Sequence, residues 1–249
     1  MMFSLDSKKI LLVGATSDIG QAAAIECMKA DAELVLTGRT PMALELTTRK
    51  IQELQPIRTM QSYQCDLTDS SSIETLAEIM PSVDGVVVSV GTLETLPCKL
   101  HTSESVMRSM DVNFKGTVLL ISALLRKKKV NKGASIVFIS SVAGVLLAEK
   151  GNALYGASKA ALSAYSKVLA LELASRKIRV NCIMPGMVRT KFLNNFALDE
   201  EDFKSDEQKY PLGYGTPEDV AGGVVYLLSD AARWITGTDL LMDGGRTLQ

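Results

Sequence analysis

Short runs of β-branched and apolar residues alternate with longer amphipathic stretches along all 249 residues of the chain. The short runs predict strands at 10–13, 33–36, 61–65, 85–88, 135–139, 179–183 and 239–242. Between them, residues 19–30, 41–54, 70–80, 103–128, 153–175 and 217–229 carry helical patterns. This rhythm predicts a doubly wound α/β fold, a parallel sheet of about seven strands flanked by helices on both faces. No Gly/Ser/Pro-rich linker, repeat or low-complexity tract interrupts the chain, so residues 1–249 read as a single domain. One stretch departs from the rhythm. It opens with Pro185-Gly186, continues to Pro211 and holds the acidic cluster Asp199-Glu200-Glu201-Asp202. Long connections of this kind are lids or disordered segments, and residues 187–212 are expected to close a pocket.

Composition narrows the classes. A net charge of −1 gives no global attraction to nucleic acid or to an anionic membrane. The apolar stretches are too short and interrupted to span a bilayer. The short, mixed segment before the first strand carries no signal-peptide pattern, and the cytoplasm is the default address. Cys27, Cys65, Cys98 and Cys182 are far apart with no CxxC pair, which suggests free thiols in a reducing compartment. His101 is the only histidine, so a His-rich metal site is excluded and no metal is expected.

The candidate chemistry begins where the first strand runs into Val13-Gly14-Ala15-Thr16-Ser17-Asp18-Ile19-Gly20. A tight glycine turn between strand and helix leaves backbone N–H groups and a partial positive charge facing whatever sits there, which suits a pyrophosphate. Asp18 stands where a middle glycine is usual; it can cap the helix, but its carboxylate is unwelcome beside a phosphate. The second strand ends Leu36-Thr37-Gly38-Arg39, with Glu33 at its start. An acid near this strand end suits the ribose hydroxyls of NAD, whereas an arginine suits the 2′-phosphate of NADP, so Arg39 favours NADP(H) over NAD(H). Asp66, with Leu67 beside it, closes the third strand where a carboxylate can accept from an adenine amino group. Capping of the next helix falls to Asp69.

Tyr155 and Lys159, in Tyr155-Gly156-Ala157-Ser158-Lys159, are four apart on a predicted helix and share a face. An ammonium at ~4 Å in an effective dielectric of ~20 is worth up to about 4 kcal/mol, enough to lower a phenol pKa substantially. Tyrosine–lysine pairs at this spacing also arise on ordinary helix surfaces, so the pair gains meaning from the motifs around it.

Together these motifs resemble the short-chain dehydrogenase/reductases, and the resemblance covers nearly the whole chain. It rests on the glycine turn, Asp111-Val112-Asn113, Ile139-Ser140-Ser141-Val142-Ala143-Gly144, Tyr155/Lys159, Pro185-Gly186-Met187-Val188-Arg189-Thr190, Thr236-Gly237 and Asp243-Gly244-Gly245, in that order. It implies a Rossmann-type fold and a catalytic set of Asn113, Ser141, Tyr155 and Lys159. Tyr155 would exchange a proton with the carbonyl or alcohol oxygen, and Ser141 would hydrogen-bond that oxygen. Ser140 is a rival for the serine. Lys159 would also hold the nicotinamide ribose, and Asn113 would fix a water linking Lys159 to solvent. Pro185, Gly186, Val188 and Thr190 would contact the nucleotide, with Gly91 lining its channel. The usual Asn-Asn-Ala-Gly at the fourth strand's end reads Val88-Ser89-Val90-Gly91, which is expected to loosen that strand end.

Leu93, Val145, Leu146, Leu147, Met187, Phe192, Leu193 and Phe196 are expected to face an apolar carbonyl or alcohol substrate. An acyl-carrier-protein thioester is the alternative: Arg126-Lys127-Lys128-Lys129, Lys132 and Arg176-Lys177 would dock an acidic carrier. The same lysines could simply complement helix dipoles. A non-catalytic, cofactor-sensing scaffold is the alternative of another class, weakened because all four catalytic positions are kept. A small-residue stripe (Ala157, Ala160, Ala161, Ala164) and the family resemblance point to a homotetramer or homodimer, burial within one subunit being the other use of that stripe.

Overall fold

The apolar runs become seven strands of one parallel sheet in the order β3-β2-β1-β4-β5-β6-β7. They are β1 (Lys9–Val13), β2 (Glu33–Gly38), β3 (Met60–Gln64), β4 (Val83–Val88), β5 (Val130–Ile139), β6 (Arg179–Pro185) and β7 (Asp239–Met242). The helices are α1 (Asp18–Lys29), α2 (Pro41–Leu54), α3 (Ser70–Ile79), α4 (Ser103–Met110), α5 (Gly116–Arg126), α6 (Ala153–Leu173), α7 (Glu200–Glu207) and α8 (Pro217–Leu228). The computed structural model describes residues 2–54, 59–195 and 200–248. Phe196 and Asp199 lie outside the described residues.

Central strands buried on both faces explain why the sequence shows continuous apolar runs rather than alternation. The alternation appears in which core each residue joins. Leu11, Val13, Val86, Val88, Ile136 and Phe138 pack with Ile73 and Leu76 of α3, Leu120 and Leu124 of α5, and Leu162 and Leu169 of α6. Ile10, Leu12, Val87, Val137 and Ile139 pack with Ala23 and Cys27 of α1, Leu44 and Ile51 of α2, and Val224 and Leu227 of α8. Each fully buried Leu, Ile or Val contributes roughly 1.5–3 kcal/mol. Caps set the helix starts: Ser17 Oγ accepts from Gly20 N at 3.0 Å and Asp69 Oδ1 from Ser71 N at 2.9 Å. Thr102 and Thr216 each form a capping box.

Because β2 is added on one side of β1 and β4 on the other, the order of strand addition reverses there, and a crevice opens beyond the carboxyl ends of those strands. That crevice is the candidate site.

Two elements differ from expectation. The helix predicted over 103–128 runs without a break from Ser103 to Arg126 but is not uniform: α4 ends at Met110, a single π-helical turn spans Asp111–Lys115, and α5 continues from Gly116. A Cβ on Gly116 would lie 2.4 Å from Leu67 O, so only glycine allows this helix to cross the β3 loop so closely. Within the segment expected to be a lid, residues 200–207 form α7. There Arg189 pairs with Glu207 and lies 5.6 Å over the Tyr214 ring. Among the described residues no helix is long and apolar enough to cross a membrane.

Candidate active site

The glycine turn is built by collision. Gly14 has φ +80°, and a Cβ there would stand 2.5 Å from Ser89 O; one on Gly20 would stand 2.2 Å from Gly14 O. Ser17 Oγ bonds Gly14 O at 2.9 Å and reaches Ser89 O and Ser89 Oγ at 3.2 Å each. Ser89 N also donates to Val13 O at 2.9 Å. The altered end of β4 is therefore tied to the turn by Ser89, contrary to the loosening expected from the missing amides. With Gly20 N capped by Ser17, the amides of Asp18 and Ile19 at the start of α1 have no intrahelical partner, and both residues line the cavity. The Asp18 carboxylate is occupied differently from either role expected of it: Oδ2 accepts from Lys191 N at 2.7 Å.

One cavity of about 400 Å³ spans the crevice. Thr16, Ser17, Asp18, Ile19, Gly91, Ser141, Tyr155, Lys159, Pro185, Gly186, Val188 and Thr190 all line it. Gly14 and Gly20 shape the turn behind this wall. Arg39, Asp66 and Leu67 are not among its lining residues. Arg39 is exposed at the end of β2, with no ion pair on its guanidinium among the described residues. Asp66 Oδ1 accepts from Thr68 N and Oγ1 at 2.9 and 2.7 Å.

The catalytic candidates converge from β5, α6 and the π-helical turn. Gly144, at φ +81°, lies so close to α6 that a Cβ would fall 2.2 Å from Gly156 O, and this contact brings the Ser141 loop onto the Tyr155 turn. Ser140 turns away: its Oγ donates to Lys159 O at 2.9 Å and lies 2.9 Å from Ser163 Oγ. Ser141 is the serine that interacts with the phenol. Asn113 is fully buried behind Lys159, its amide donating to Thr92 O and Ser158 Oγ at 2.9 Å each. Its Oδ1 accepts from Thr92 N at 2.7 Å.

The electrostatics correct one expectation. Burial pushes the Tyr155 phenol up to about 12, a hydrogen-bonding interaction with Ser141 offsetting only part of the shift. Lys159 Nζ is engaged elsewhere, donating to Ile139 O at 2.8 Å and Val90 O at 3.1 Å, and lies 5.9 Å from the Tyr155 ring centroid, so burial governs the direction of the phenol's shift. Desolvation brings Lys159 itself down to about 8.

Of the residues expected to face a substrate, Leu147, Met187, Phe192 and Leu193 line the cavity. Leu93 is buried and Val145 and Leu146 are exposed, all away from the lining. Glu149, Asn152 and Tyr210 line it unforeseen. Asn152 was within reach of the sequence, one helical turn before Tyr155. The basic residues considered for carrier docking sit at the amino ends of β5 and β6, about 30 Å along β5 from Ser141 at ~3.3 Å per residue. There Arg126 pairs with Glu74 and Lys127 with Glu78. Among the described residues no group of three or more His, Cys, Asp or Glu could hold a metal ion.

A glycine turn at a topological switch point, sharing one cavity with Ser141, Tyr155 and Lys159, is the arrangement of an α/β oxidoreductase. Comparison supplies the family. The model described as "Enoyl-(Acyl carrier protein) reductase" matches residues 14–247. The 3-oxoacyl-[acyl-carrier-protein] reductase FabG of Rickettsia felis is 32% identical over 246 residues, covering 98% of each chain. D-erythrulose reductase of Gallus gallus is 32% identical over 246 residues, covering 97% of this chain and 96% of its own. A short-chain type dehydrogenase/reductase from Mycobacterium marinum superposes with a TM-score of 0.90 at 28% identity, covering 100% of this chain and 98% of its own. The chain belongs to the short-chain dehydrogenase/reductase family, whose members are NAD(P)-dependent enzymes acting on C=O and CH–OH groups.

Proposed function

We propose that this protein interconverts a carbonyl compound and its alcohol with NADP(H), Tyr155 acting as general acid in reduction and general base in oxidation. The observation that carries the reading is the meeting of Ser141, Tyr155 and Lys159 in the cavity that the glycine turn also lines. The residues fit a dinucleotide: the space a Cβ would fill at Gly14 and Gly20 is kept clear, and the amides at the start of α1 suit a pyrophosphate. A bound dihydronicotinamide supplies the hydride that reaches the carbonyl carbon. Arg39 would take the 2′-phosphate, Asp66 and Leu67 would hold the adenine, and Pro185, Gly186, Val188, Thr190 and Gly91 would hold the nicotinamide half.

Tyr155 donates its proton to the substrate oxygen while Ser141 hydrogen-bonds the same atom, stabilising the charge that builds there. Lys159, brought down to about 8 by burial, restores the phenol proton and would hold the nicotinamide ribose. Asn113 acts by position: it clamps Thr92 and, through Ser158, whose Oγ donates to Tyr155 O at 2.7 Å, the turn that carries the phenol. A relay water beside Lys159 completes the path to solvent.

Leu147, Met187, Phe192 and Leu193 give the substrate side an apolar wall, and residues 187–212 close over it. Exposed Val168 and Leu171 continue the small-residue stripe of α6, an apolar face suited to a second copy of the chain in a dimer or tetramer. The second reading is reduction of an acyl-carrier-protein thioester, favoured by the FabG relatives.

Tyr155→Phe tests the main reading. NADPH binding, followed by nicotinamide fluorescence, should stay near wild type while turnover of carbonyl substrates falls at least ~100-fold. Near-wild-type turnover removes Tyr155 from the chemistry.

A further inference from the structure

Ser140 Oγ stands 2.9 Å from both Lys159 O and Ser163 Oγ, and it donates to the carbonyl. A serine hydroxyl carries a single proton, so Ser163 is the donor in the second contact. The order of the chain is thereby fixed: Ser163 donates to Ser140, and Ser140 donates to Lys159 O. On the preceding residue of β5, Ile139 O accepts from Lys159 Nζ at 2.8 Å. Consecutive residues of β5 therefore hold the two ends of one lysine, its backbone carbonyl and its ammonium. Each support is itself tied down. Ser140 N donates to Ile183 O of β6 at 2.8 Å, and Ser166 Oγ donates to Ser163 O at 2.8 Å. Ser140, Lys159 and Ser163 are each 3% exposed, so loss of one of these bonds strands a buried polar group.

We propose that Ser140 is a positioning residue for the reaction, aligning Lys159 through its backbone carbonyl while Ser163 orients the serine. The inference rests on the carbonyl-reductase reading above and adds a residue to it. A lysine ammonium rides on a long, flexible stem. With the carbonyl tied to residue 140 and the nitrogen to residue 139, that stem is held at both ends and loses most of its rotamer freedom. Ser140 thus acts on the chemistry without touching the substrate oxygen, which is left to Ser141 and Tyr155. Without the Ser140 bond, the turn of α6 that carries Lys159 is free to draw back from β5. Water then reaches the ammonium, and the desolvation that brings its pKa down to about 8 weakens. The other titratable groups against Lys159 are Tyr155 on its own helix and Cys182 on β6. Burial pushes them up to about 12 and about 11, so both stay uncharged where Lys159 titrates.

The test reads the Lys159 titration without any substrate. Urea unfolding of the chain with Lys159 and with Lys159→Met is followed from about pH 7 to about pH 9.5, each with Ser140 intact and with Ser140→Ala. With Ser140 intact, the Lys159 form should begin to gain on Lys159→Met near pH 8, where the folded lysine releases its proton. With Ser140→Ala, that onset should move up by at least ~0.5 pH unit. A serine that only supports the fold lowers both curves together and leaves the onset in place, and that result overturns the proposal. So does a wild type with no onset in this range. The double variant Ser140→Ala/Ser163→Ala strands no hydroxyl, so a displaced onset there does not come from an unpaired Ser163. An onset back near pH 8 in that variant overturns the proposal too. If circular dichroism shows Ser140→Ala unfolded, Ser140→Cys, of similar shape but only a weak donor, takes its place. The Tyr155→Phe experiment judges the underlying reading separately: near-wild-type turnover there leaves no reaction for Ser140 to serve, whatever the onset. An unmoved onset with Tyr155 essential removes Ser140 alone.

Discussion

Replacing Lys159 by methionine removes an ammonium held in a site that is 3% exposed while keeping a side chain of similar length. Desolvation brings the folded-state pKa of Lys159 down from 10.5 to about 8. Below about pH 8 the lysine is charged in both the folded and unfolded chain, and the full cost of burying that charge is present. Between about pH 8 and 10.5 the unfolded chain holds a proton the folded chain has released, so stability rises with pH in that window. A shift of this size makes wild type gain about 2 kcal/mol relative to Lys159→Met between about pH 7 and about pH 9.5. Tyr155, pushed up to about 12, works in the opposite direction. Its contribution is lost as pH rises from about 10 towards about 12, above this range. The assay is urea unfolding of both proteins at matched concentration, so that assembly enters each equally, in half-unit pH steps. Only the difference between the two stability curves matters, because the remaining lysines titrate alike in both. Parallel curves from pH 7 to 9.5 would show that Lys159 keeps an ordinary pKa when folded, and a widening gap in favour of the variant would reverse the sign of the reasoning.

Two other outcomes follow from single contacts. Arg39→Ala should weaken NADPH binding about 10-fold or more while changing NADH less than about 2-fold, since a charge-assisted bond to phosphate is worth roughly 1.5–3 kcal/mol; equal losses for both in fluorescence titrations would remove Arg39 from phosphate recognition. Gly144→Ala places a Cβ 2.2 Å from Gly156 O at φ +81° and should cost roughly 2 kcal/mol or more. A thermal melt within a degree of wild type would contradict this.

What could be read without coordinates is what local pattern records. Strand runs such as Leu11-Leu12-Val13 and Val86-Val87-Val88 are apolar on both faces and announce a covered parallel sheet. The Tyr155/Lys159 spacing survives folding because α6 is regular from Ala153 to Leu173. The π-helical turn at Asp111–Lys115 was hidden, since a single i→i+5 turn inside a continuous helix is set by backbone hydrogen bonding and carries no residue signature. The pull of Lys159 on Tyr155 was misjudged for another reason. Sequence spacing gives the shared face, but the lysine's direction is set by the carbonyls of Ile139 and Val90, which arrive from other strands. Asn152 drew no reading from the sequence, because only the fold shows that its side chain turns from the helix to Glu149.

The bond from Lys191 N to Asp18 joins the turn proposed to cradle a nucleotide to the segment proposed to close over the substrate. The two regions therefore belong to one thermodynamic cycle. A bound pyrophosphate that repelled the Asp18 carboxylate would change how firmly residue 191 is held. By reciprocity, whatever steadies residue 191 changes nucleotide affinity by the same factor. The aspartate that stands in place of the usual glycine thus ties together two edges of the crevice that lie 173 residues apart in the chain.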